Sequence, residues 1–191
     1  KKPPPAVSLG KGGFLMSEIL IEGERLRLRR AELSDLNYIM ELQYAPENKK
    51  FIVPFSAEFQ TKLINSSGDA EMNIIIEEIS IGAPVGYFMV AGINNPFKSM
   101  EWRHVIVGKK GVGYGREGLK LLMRWTFEVK KFHRGWLDCK TYNTVALNLY
   151  ESSGLRRDGV ERECIITDGV YEDLIVLSIL DREFFARYGE N

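Results

Sequence analysis

The sequence contains little of what would mark a metalloprotein, a disulfide-rich protein or a membrane protein. Only 2 of its 191 residues are cysteine and 2 are histidine, and none of them has the spacing of metal ligands. Cys139 and Cys164 lie far apart, and no apolar stretch near the N-terminus resembles a secretory core. We therefore expect buried thiols in a reducing cytoplasm and no bound metal.

Long apolar runs and an excess of charge of one sign are also missing. No segment approaches the roughly 18 apolar residues of a membrane-spanning helix. The 26 basic residues balance the 26 acidic residues, so no net charge attracts the chain to nucleic acid or to an anionic membrane. We therefore expect neither nucleic acid nor a membrane as a partner.

The remaining composition, 45% apolar and 27% charged, is that of a globular protein with one sizeable core. Residues 1–15 differ, because prolines, glycines and lysines dominate them. We interpret residues 1–15 as a disordered leader or a segment added for expression, and residues 16–191 as a single domain.

Hydrophobic periodicity along this domain predicts a mixed α/β fold. A Ser34 N-cap, a Gly154 stop and an Asp168-Gly169 hairpin turn delimit some of the elements. Strands are predicted over residues 24–30, 72–79, 85–93, 100–107, 136–142, 160–167 and 171–180, and helices over 34–44, 57–64, 119–132 and 144–153. The order predicts antiparallel hairpins at both ends of the sheet and one central strand–glycine loop–helix–strand crossover.

The glycine loop of that crossover is the most informative segment. Lys110-Gly111-Val112-Gly113-Tyr114-Gly115-Arg116-Glu117-Gly118 lies between an apolar strand and a helix. Glycines let the backbone turn sharply and approach a ligand closely. The free N–H groups of the first helical turn then point at that ligand. The loop therefore predicts a site for a phosphate or a pyrophosphate.

Two kinds of cofactor fit such a loop. The segment from Gly113 to Gly118 satisfies G-x-G-x-x-G, and Asp138 follows Gly118 by 20 residues, as in a dinucleotide fingerprint. A dinucleotide fold, however, needs successive parallel βα units, whereas hairpin-like segments precede this loop. No Gly-Lys-Ser/Thr follows, which argues against an ATP P-loop.

A longer ordered set of motifs gives the second interpretation. Lys110-x-x-Gly113-x-Gly115 resembles the Arg/Gln-x-x-Gly-x-Gly/Ala loop of GNAT-superfamily N-acetyltransferases. Segments 133–138, 143–155, 158–163 and 168–173 continue the resemblance to the branch of ribosomal-protein N-terminal and spermidine acetyltransferases. The resemblance spans about residues 22–180. The chain departs from the family pattern at Lys110, where Arg or Gln is usual, and over residues 45–100, which match it little. The resemblance implies a GNAT-like sheet with splayed central strands and acetyl-CoA as co-substrate.

The resemblance also implies which residues bind acetyl-CoA. Backbone N–H groups of the loop would hold the pyrophosphate, Lys110 and Arg116 would add charge, and the strand before the loop would line the pantetheine path. Asn143 would contact the pantetheine or a water. The full set is Val105, Val107, Lys110, Gly111, Val112, Gly113, Tyr114, Gly115, Arg116 and Asn143.

Acetyl transfer to an amine needs a proton acceptor for the amine and a proton donor for the leaving thiolate. The resemblance places the Tyr150 hydroxyl near the CoA sulfur, as the general acid. It places Glu101, in a Glu-aromatic pair, as the candidate base. His104 is a weaker candidate for the base. It is three residues beyond Glu101 on the same strand, so its side chain points to the face opposite that of Glu101 unless a bulge intervenes.

We therefore expect an acetyl-CoA-dependent N-acetyltransferase acting on a primary amine. The acceptor is either a protein N-terminus or a small molecule such as a polyamine, and the sequence does not decide between them. A non-catalytic acyl-CoA-binding domain is the main alternative, and a dinucleotide enzyme is the weaker one. A homodimer is one of the assemblies that the sequence leaves open.

Overall fold

A computed structural model describes residues 17–189, so the leader predicted for residues 1–15 lies outside the described residues. The strands are β1 (Ile19–Glu22), β2 (Leu26–Arg30), β3 (Glu71–Glu78), β4 (Ala83–Ala91), β5 (Ser99–Val107), β6 (Arg134–Lys140), β7 (Arg156–Thr167) and β8 (Val170–Leu180). The helices are α1 (Leu36–Tyr44), α2 (Pro46–Lys49), α3 (Ala57–Ile64), α4 (Tyr114–Arg124), α5 (Thr144–Ser152) and α6 (Asp181–Tyr188).

Within the described residues, the strands form one sheet in the order β1-β2-β3-β4-β5-β6-β8-β7. Every neighbouring pair is antiparallel except β5 and β6. The β5–α4–β6 connection is therefore the parallel crossover that the sequence predicts. The predicted mixed α/β fold is confirmed, and the antiparallel surroundings exclude a dinucleotide-binding half.

Two cores cover the two faces of the sheet. The larger core packs α4, α5 and α6 on one face, with Phe88, Val90, Leu137 and Cys139 among its strand residues. The smaller core packs α1 and α3 on the other face; its strand residues are Ile75, Tyr87, Met89 and Ile106. We call these the α4 face and the α1 face.

The helix after the glycine loop begins earlier than the sequence predicts. The prediction placed it over residues 119–132, but α4 begins at Tyr114 and continues as a π-helical segment, Trp125–Val129. Gly118 therefore lies inside α4, where a Cβ would be 3.4 Å from the Phe88 Cζ atom. This glycine lets the helix pack closely on the sheet, which is a packing role.

The other element predictions are largely confirmed. The helix predicted over 57–64 is α3, which Ser56 caps, and Asp168 and Gly169 both have positive φ in the β7–β8 turn. The Ser34 N-cap is wrong: Ser34 lies within a short 3₁₀ turn, Leu33–Asp35, whose cap is Glu32. The sequence analysis also missed β1, α2 and α6.

A β-bulge interrupts β5 close to the centre of the molecule. Met89 pairs with His104 and Val90 with Trp102, so Arg103 is the extra residue. Trp102 consequently reaches the α4 face, where its Nε1 donates to the Thr126 hydroxyl at 3.2 Å. His104 instead reaches the α1 face, where it contacts Tyr87.

The parallel pairing of β5 and β6 is very short. Ser99, Met100 and Glu101 pair with Arg134, Gly135 and Trp136, and the two strands then diverge. The result is a wedge-shaped gap in the middle of the sheet, open toward the glycine loop. We call it the central gap.

No helix in the described part of the chain is long and apolar enough to span a membrane.

Candidate active site

A cavity of about 710 Å³ occupies the central gap and continues to both faces of the sheet. At one end lie the glycine loop and the start of α5. At the other lies the segment 50–55 between α2 and α3. Of the residues predicted to bind the co-substrate, the cavity is lined by Val105, Val107, Lys110, Gly111, Gly115 and Asn143.

The glycine loop has the geometry that an anion-binding loop needs. Gly111 and Gly113 have φ values of 80° and 87°, which other residues adopt only with strain. Gly113 is the N-cap of α4, and no side chain among the described residues caps this helix end. The first-turn N–H groups of α4 therefore have no side-chain acceptor in this part of the chain and are available to a phosphate.

Arg25 at the start of β2 supports this loop from outside. Its Nη1 donates to the Val112 carbonyl at 3.1 Å, and its guanidinium lies 5.0 Å from the centre of the Tyr114 ring. Glu117 in the first turn of α4 accepts from the Arg25 side chain at 2.7 Å and from the Leu26 N–H at 3.1 Å. The loop and the first turn of α4 are thus tied to the start of β2.

The predicted loop residues differ in where their side chains point. Lys110 lines the cavity and donates to the Asn48 Oδ1 atom at 3.1 Å. Arg116 extends along the surface, 3.1 Å from the Ser152 hydroxyl, and Tyr114 is buried beneath the loop. Of the two predicted charges, only that of Lys110 faces the cavity.

The start of α5 lines the wall opposite β5. The Asn143 Oδ1 atom caps the helix by accepting from the Ala146 N–H at 3.3 Å, which leaves its amide N–H₂ group for another partner. Tyr150 lies two turns further along α5, 6% exposed, and lines the cavity. Burial strongly raises the pKa of Tyr150, with smaller contributions from Cys139 and Asp138, so the phenol stays protonated at neutral pH.

Glu101 lies at the closed end of the central gap, where the last β5–β6 pair forms. Both of its carboxylate oxygens are engaged by Arg103, with Nε to Oε1 at 3.0 Å and Nη2 to Oε2 at 2.8 Å. Arg103 also approaches Glu71 at 3.4 Å. The predicted base therefore faces the cavity as half of a bidentate ion pair.

The sequence analysis expected His104 to point away from Glu101 unless a bulge intervened, and the bulge at Arg103 brings both side chains to the same cavity. The His104 Nδ1 atom lies 2.7 Å from the Tyr87 hydroxyl, and the ring also hydrogen-bonds the Val53 backbone. Burial lowers the pKa of His104 to about 4, against the opposing effect of the Val53 backbone, and Arg103 lowers it further. The ring is neutral and both its nitrogens are engaged.

The sequence analysis missed Asp138 as a member of this site. Its neighbours Leu137 and Cys139 are buried in the α4 face, so alternation along β6 places Asp138 on the α1 face. Asp138 is exposed to the cavity. The cavity walls still reduce its solvation, and this effect, followed by the charges of Glu101 and Glu161, raises the pKa of Asp138 to about 6.

We call the end of the cavity away from the glycine loop the acceptor end. Apolar side chains of the 50–55 segment border it. Phe55 stacks on Phe59 at 4.5 Å and lies 5.3 Å from the His104 ring. Tyr142 joins this segment to β8, since its hydroxyl contacts the Lys50 carbonyl at 3.0 Å and a Glu172 oxygen at 2.8 Å. Apolar side chains and the Tyr142 hydroxyl contacts thus border this end of the cavity.

Within residues 17–189, no three histidine, cysteine or acidic side chains are grouped so as to hold a metal ion.

Comparison with known proteins identifies the family. The family model described as an acetyltransferase (GNAT) domain matches residues 25–156. A curated relative, the spermidine N(1)-acetyltransferase of Vibrio cholerae, is 25% identical over 174 residues, which cover 85% of this chain and 97% of the relative.

Solved structures agree on the fold. The spermidine N-acetyltransferase of Vibrio cholerae in complex with CoA and spermine has a TM-score of 0.75 at 23% identity, covering 84% of this chain and 98% of its own. A chimera of the spermidine N-acetyltransferase from Vibrio cholerae and hSSAT has a TM-score of 0.75 at 24% identity, covering 85% of this chain and 99% of its own.

The gap, the glycine loop and the uncapped α4 N-terminus all fit acetyl-CoA, and the family model covers more than half of the chain. The resemblance stated from the sequence is therefore confirmed. The chain belongs to the GNAT acetyltransferase family and is an N-acetyltransferase that uses acetyl-CoA as co-substrate.

Proposed function

We propose that this enzyme acetylates a primary amine of a small aliphatic polyamine. The observation that carries the proposal is the continuity of the cavity, which runs from the glycine loop to two carboxylates, Glu101 and Asp138, at the closed end of the central gap. A small cationic amine can reach this end, and carboxylates attract it. The names of the Vibrio cholerae relatives support a polyamine over other amines.

On this proposal, the α4 N-terminus and Lys110 hold the pyrophosphate of acetyl-CoA. Lys110 exchanges its hydrogen bond with Asn48 for one to a phosphate. Val105 and Val107 line the pantetheine path along β5, and the Asn143 amide donates to the pantetheine or to a water. Arg116 contributes positive potential from the surface.

Two residues act on the acetyl transfer itself. The amine nitrogen, once neutral, forms a bond to the thioester carbonyl carbon as the carbon–sulfur bond breaks. Tyr150 gives its proton to the departing sulfur and takes one up from the nitrogen. The nitrogen loses this proton because the amide product keeps one hydrogen fewer than the amine. Glu101, held by Arg103, keeps negative charge facing the amine.

The experiment is an assay of free thiol release from acetyl-CoA with an amine panel of spermidine, spermine, a monoamine such as butylamine, and an alanyl-terminated peptide. We expect the polyamines to react fastest, with mass spectrometry showing one added acetyl group. Faster acetylation of the peptide would contradict the polyamine assignment. Binding of acetyl-CoA without transfer to any amine would contradict catalysis and favour an acyl-CoA-binding role.

A further inference from the structure

At the closed end of the central gap, the carboxylate of Asp138 forms no ion pair within the described residues. Glu101 holds Arg103 through both oxygens. In the described part of the chain, by contrast, no side chain donates a hydrogen bond to Asp138, and only burial and more distant charges act on it. An unpaired carboxylate facing a binding cavity has its oxygens available to a substrate.

The position of Asp138 follows from the end of the β5–β6 pairing. Trp136 is the last β6 residue paired with β5, and its partner there is Glu101. Asp138 is two residues further on, so it points to the same face as Trp136 and lies where the strands have just separated. It therefore faces the point at which an acceptor amine would meet an acetyl group held in the gap.

The charges facing Asp138 come from several elements. Glu101 and Arg103 face it from β5 and Glu161 from β7. On its own strand, Lys140 is paired with Glu172 at 2.7 Å. The buried Tyr150 phenol on α5 and the Cys139 thiol are also close enough to interact with its charge, and both are neutral near pH 7.

We propose that, in the reaction proposed above, the Asp138 carboxylate accepts the proton that the acceptor ammonium must lose, directly or through one water. The nitrogen lone pair freed in this way attacks the carbonyl carbon, and the carbon–sulfur bond breaks. The sulfur takes a proton from Tyr150, and the second nitrogen proton replaces it on the phenol. Asp138 passes its proton to solvent through the cavity, so one proton is released per acetyl group transferred.

This role agrees with the charge state of Asp138. Its pKa of about 6 leaves the carboxylate ionised at pH 7, and makes it a stronger proton acceptor than an ordinary aspartate. Glu101 contributes by raising that pKa, which makes it a positioning and electrostatic residue on this proposal.

The test compares pH profiles of kcat/KM, using the fastest amine of the panel above. For the wild type we expect activity to fall below about pH 6, where Asp138 becomes protonated. Asp138→Asn should lower kcat/KM at pH 7 by on the order of 10²-fold and remove that acidic limb. Acetyl-CoA affinity, measured by calorimetry, should be unchanged. Asp138→Glu should retain the limb and part of the activity.

Glu161→Gln is the matched control. In the described part of the chain, no hydrogen bond or ion pair joins the Glu161 side chain to the proposed machinery, but its charge raises the pKa of Asp138. This variant should keep its activity at pH 7 and move the acidic limb to lower pH. Carbon-13 NMR of the Asp138 carboxyl should show the same displacement without any substrate.

Three outcomes would overturn the proposal. They are wild-type kcat/KM in Asp138→Asn, an acidic limb that persists in that variant, or an Asp138 carboxyl that titrates near pH 4. In each, an active wild type leaves the proposed function standing. If the wild type acetylates no amine of the panel, the proposed function fails and the role of Asp138 fails with it.

Discussion

Tyr150 combines two properties that a proton donor to a thiolate needs. Its ring is packed in the larger core and its exposed fraction is 6%, so its position is fixed. Burial holds its pKa well above the usual range, so the proton is present at any working pH. Because the leaving thiol is more acidic than this phenol, on the proposed mechanism the phenol gives up its proton only as it takes one from the nitrogen.

The first prediction is that Tyr150→Phe lowers kcat by on the order of 10²-fold, about 2.7 kcal/mol of transition-state stabilisation. Acetyl-CoA affinity should stay nearly constant, because the lost interaction forms mainly as the thiolate leaves. The measurement is steady-state thiol release together with calorimetric titration of acetyl-CoA.

A thioester with a more acidic leaving thiol should reduce the defect of Tyr150→Phe. Tyr171→Phe is the matched control, since it deletes a phenol hydroxyl from an exposed position on β8. An equal defect with every acyl donor would show that the hydroxyl does not protonate the leaving group.

His104 makes the stability of the protein depend on pH. Its pKa is lowered from 6.5 to about 4 by burial and by Arg103, so the folded state binds this proton less readily than the unfolded chain. The associated stabilisation is fully present above about pH 6.5 and is lost as the pH falls toward 4. Its full size is about 3 kcal/mol, since one pKa unit corresponds to about 1.4 kcal/mol.

We therefore predict that the free energy of unfolding, measured in urea, falls as the pH drops from 6.5 to 4. In His104→Gln the decrease should be smaller by about the amount assigned to the histidine. An identical decrease in both proteins would mean that other groups control the acid sensitivity.

At the scale of elements, the glycine loop depends on backbone conformation that side chains would disturb. Gly113 has a φ of 87°, and a Cβ there would be 3.3 Å from the Arg25 Nη2 atom. The strain would move both the loop and the α4 N-terminus that it caps.

The third prediction is that Gly113→Val weakens acetyl-CoA binding by at least tenfold and leaves unfolding cooperative. Gly82→Val is the matched control, because Gly82 also has positive φ, 62°, and a Cβ there meets no atom of the described residues within 4 Å. Both variants should lose stability through backbone strain. Calorimetry should show weakened acetyl-CoA binding in Gly113→Val alone, and equal affinities would contradict the assignment of the loop.

Most elements were predictable because their signals are local. The Asp168-Gly169 turn and the Asn143 cap specify backbone conformation within a few residues. The short β1 has no such signal, because only its pairing with β2 makes it a strand. The early start of α4 was obscured by its glycines, which favour a loop in isolation and are tolerated here because the helix packs on the sheet.

At the scale of the whole molecule, the sequence predicted Glu101 and several loop residues that line the cavity, but not that Asp138 lines it beside Glu101. Lys110, Gly111 and Tyr150 belong to contiguous motifs. Asp138 and Glu101, by contrast, are 37 residues apart in the sequence. The one-residue bulge at Arg103 determines which side chains share the cavity, and no local sequence pattern predicts this bulge. Asp138 could have been found from its polarity in a strand of otherwise alternating burial.

The central gap also leaves the sheet without complete strand pairing in its middle. Beyond Glu101 and Trp136, β5 and β6 present two unpaired edges to each other inside the molecule. Free sheet edges on a surface recruit foreign strands and promote aggregation. Here the two edges are enclosed, so the molecule tolerates an incomplete sheet. An extended ligand with amide groups can pair with such an edge as an added strand would.

Acetyl-CoA would then complete the sheet as well as donate the acetyl group, and amide hydrogen exchange can detect this. Without ligand, the gap-facing N–H groups of β5 beyond Glu101 should exchange faster than those of β3, which is paired on both sides. Acetyl-CoA should slow the exchange in β5 and leave β3 unchanged. The middle of the sheet would therefore be more rigid with acetyl-CoA bound than without it. Product release would require the ligand to lose its pairing with the strand edge.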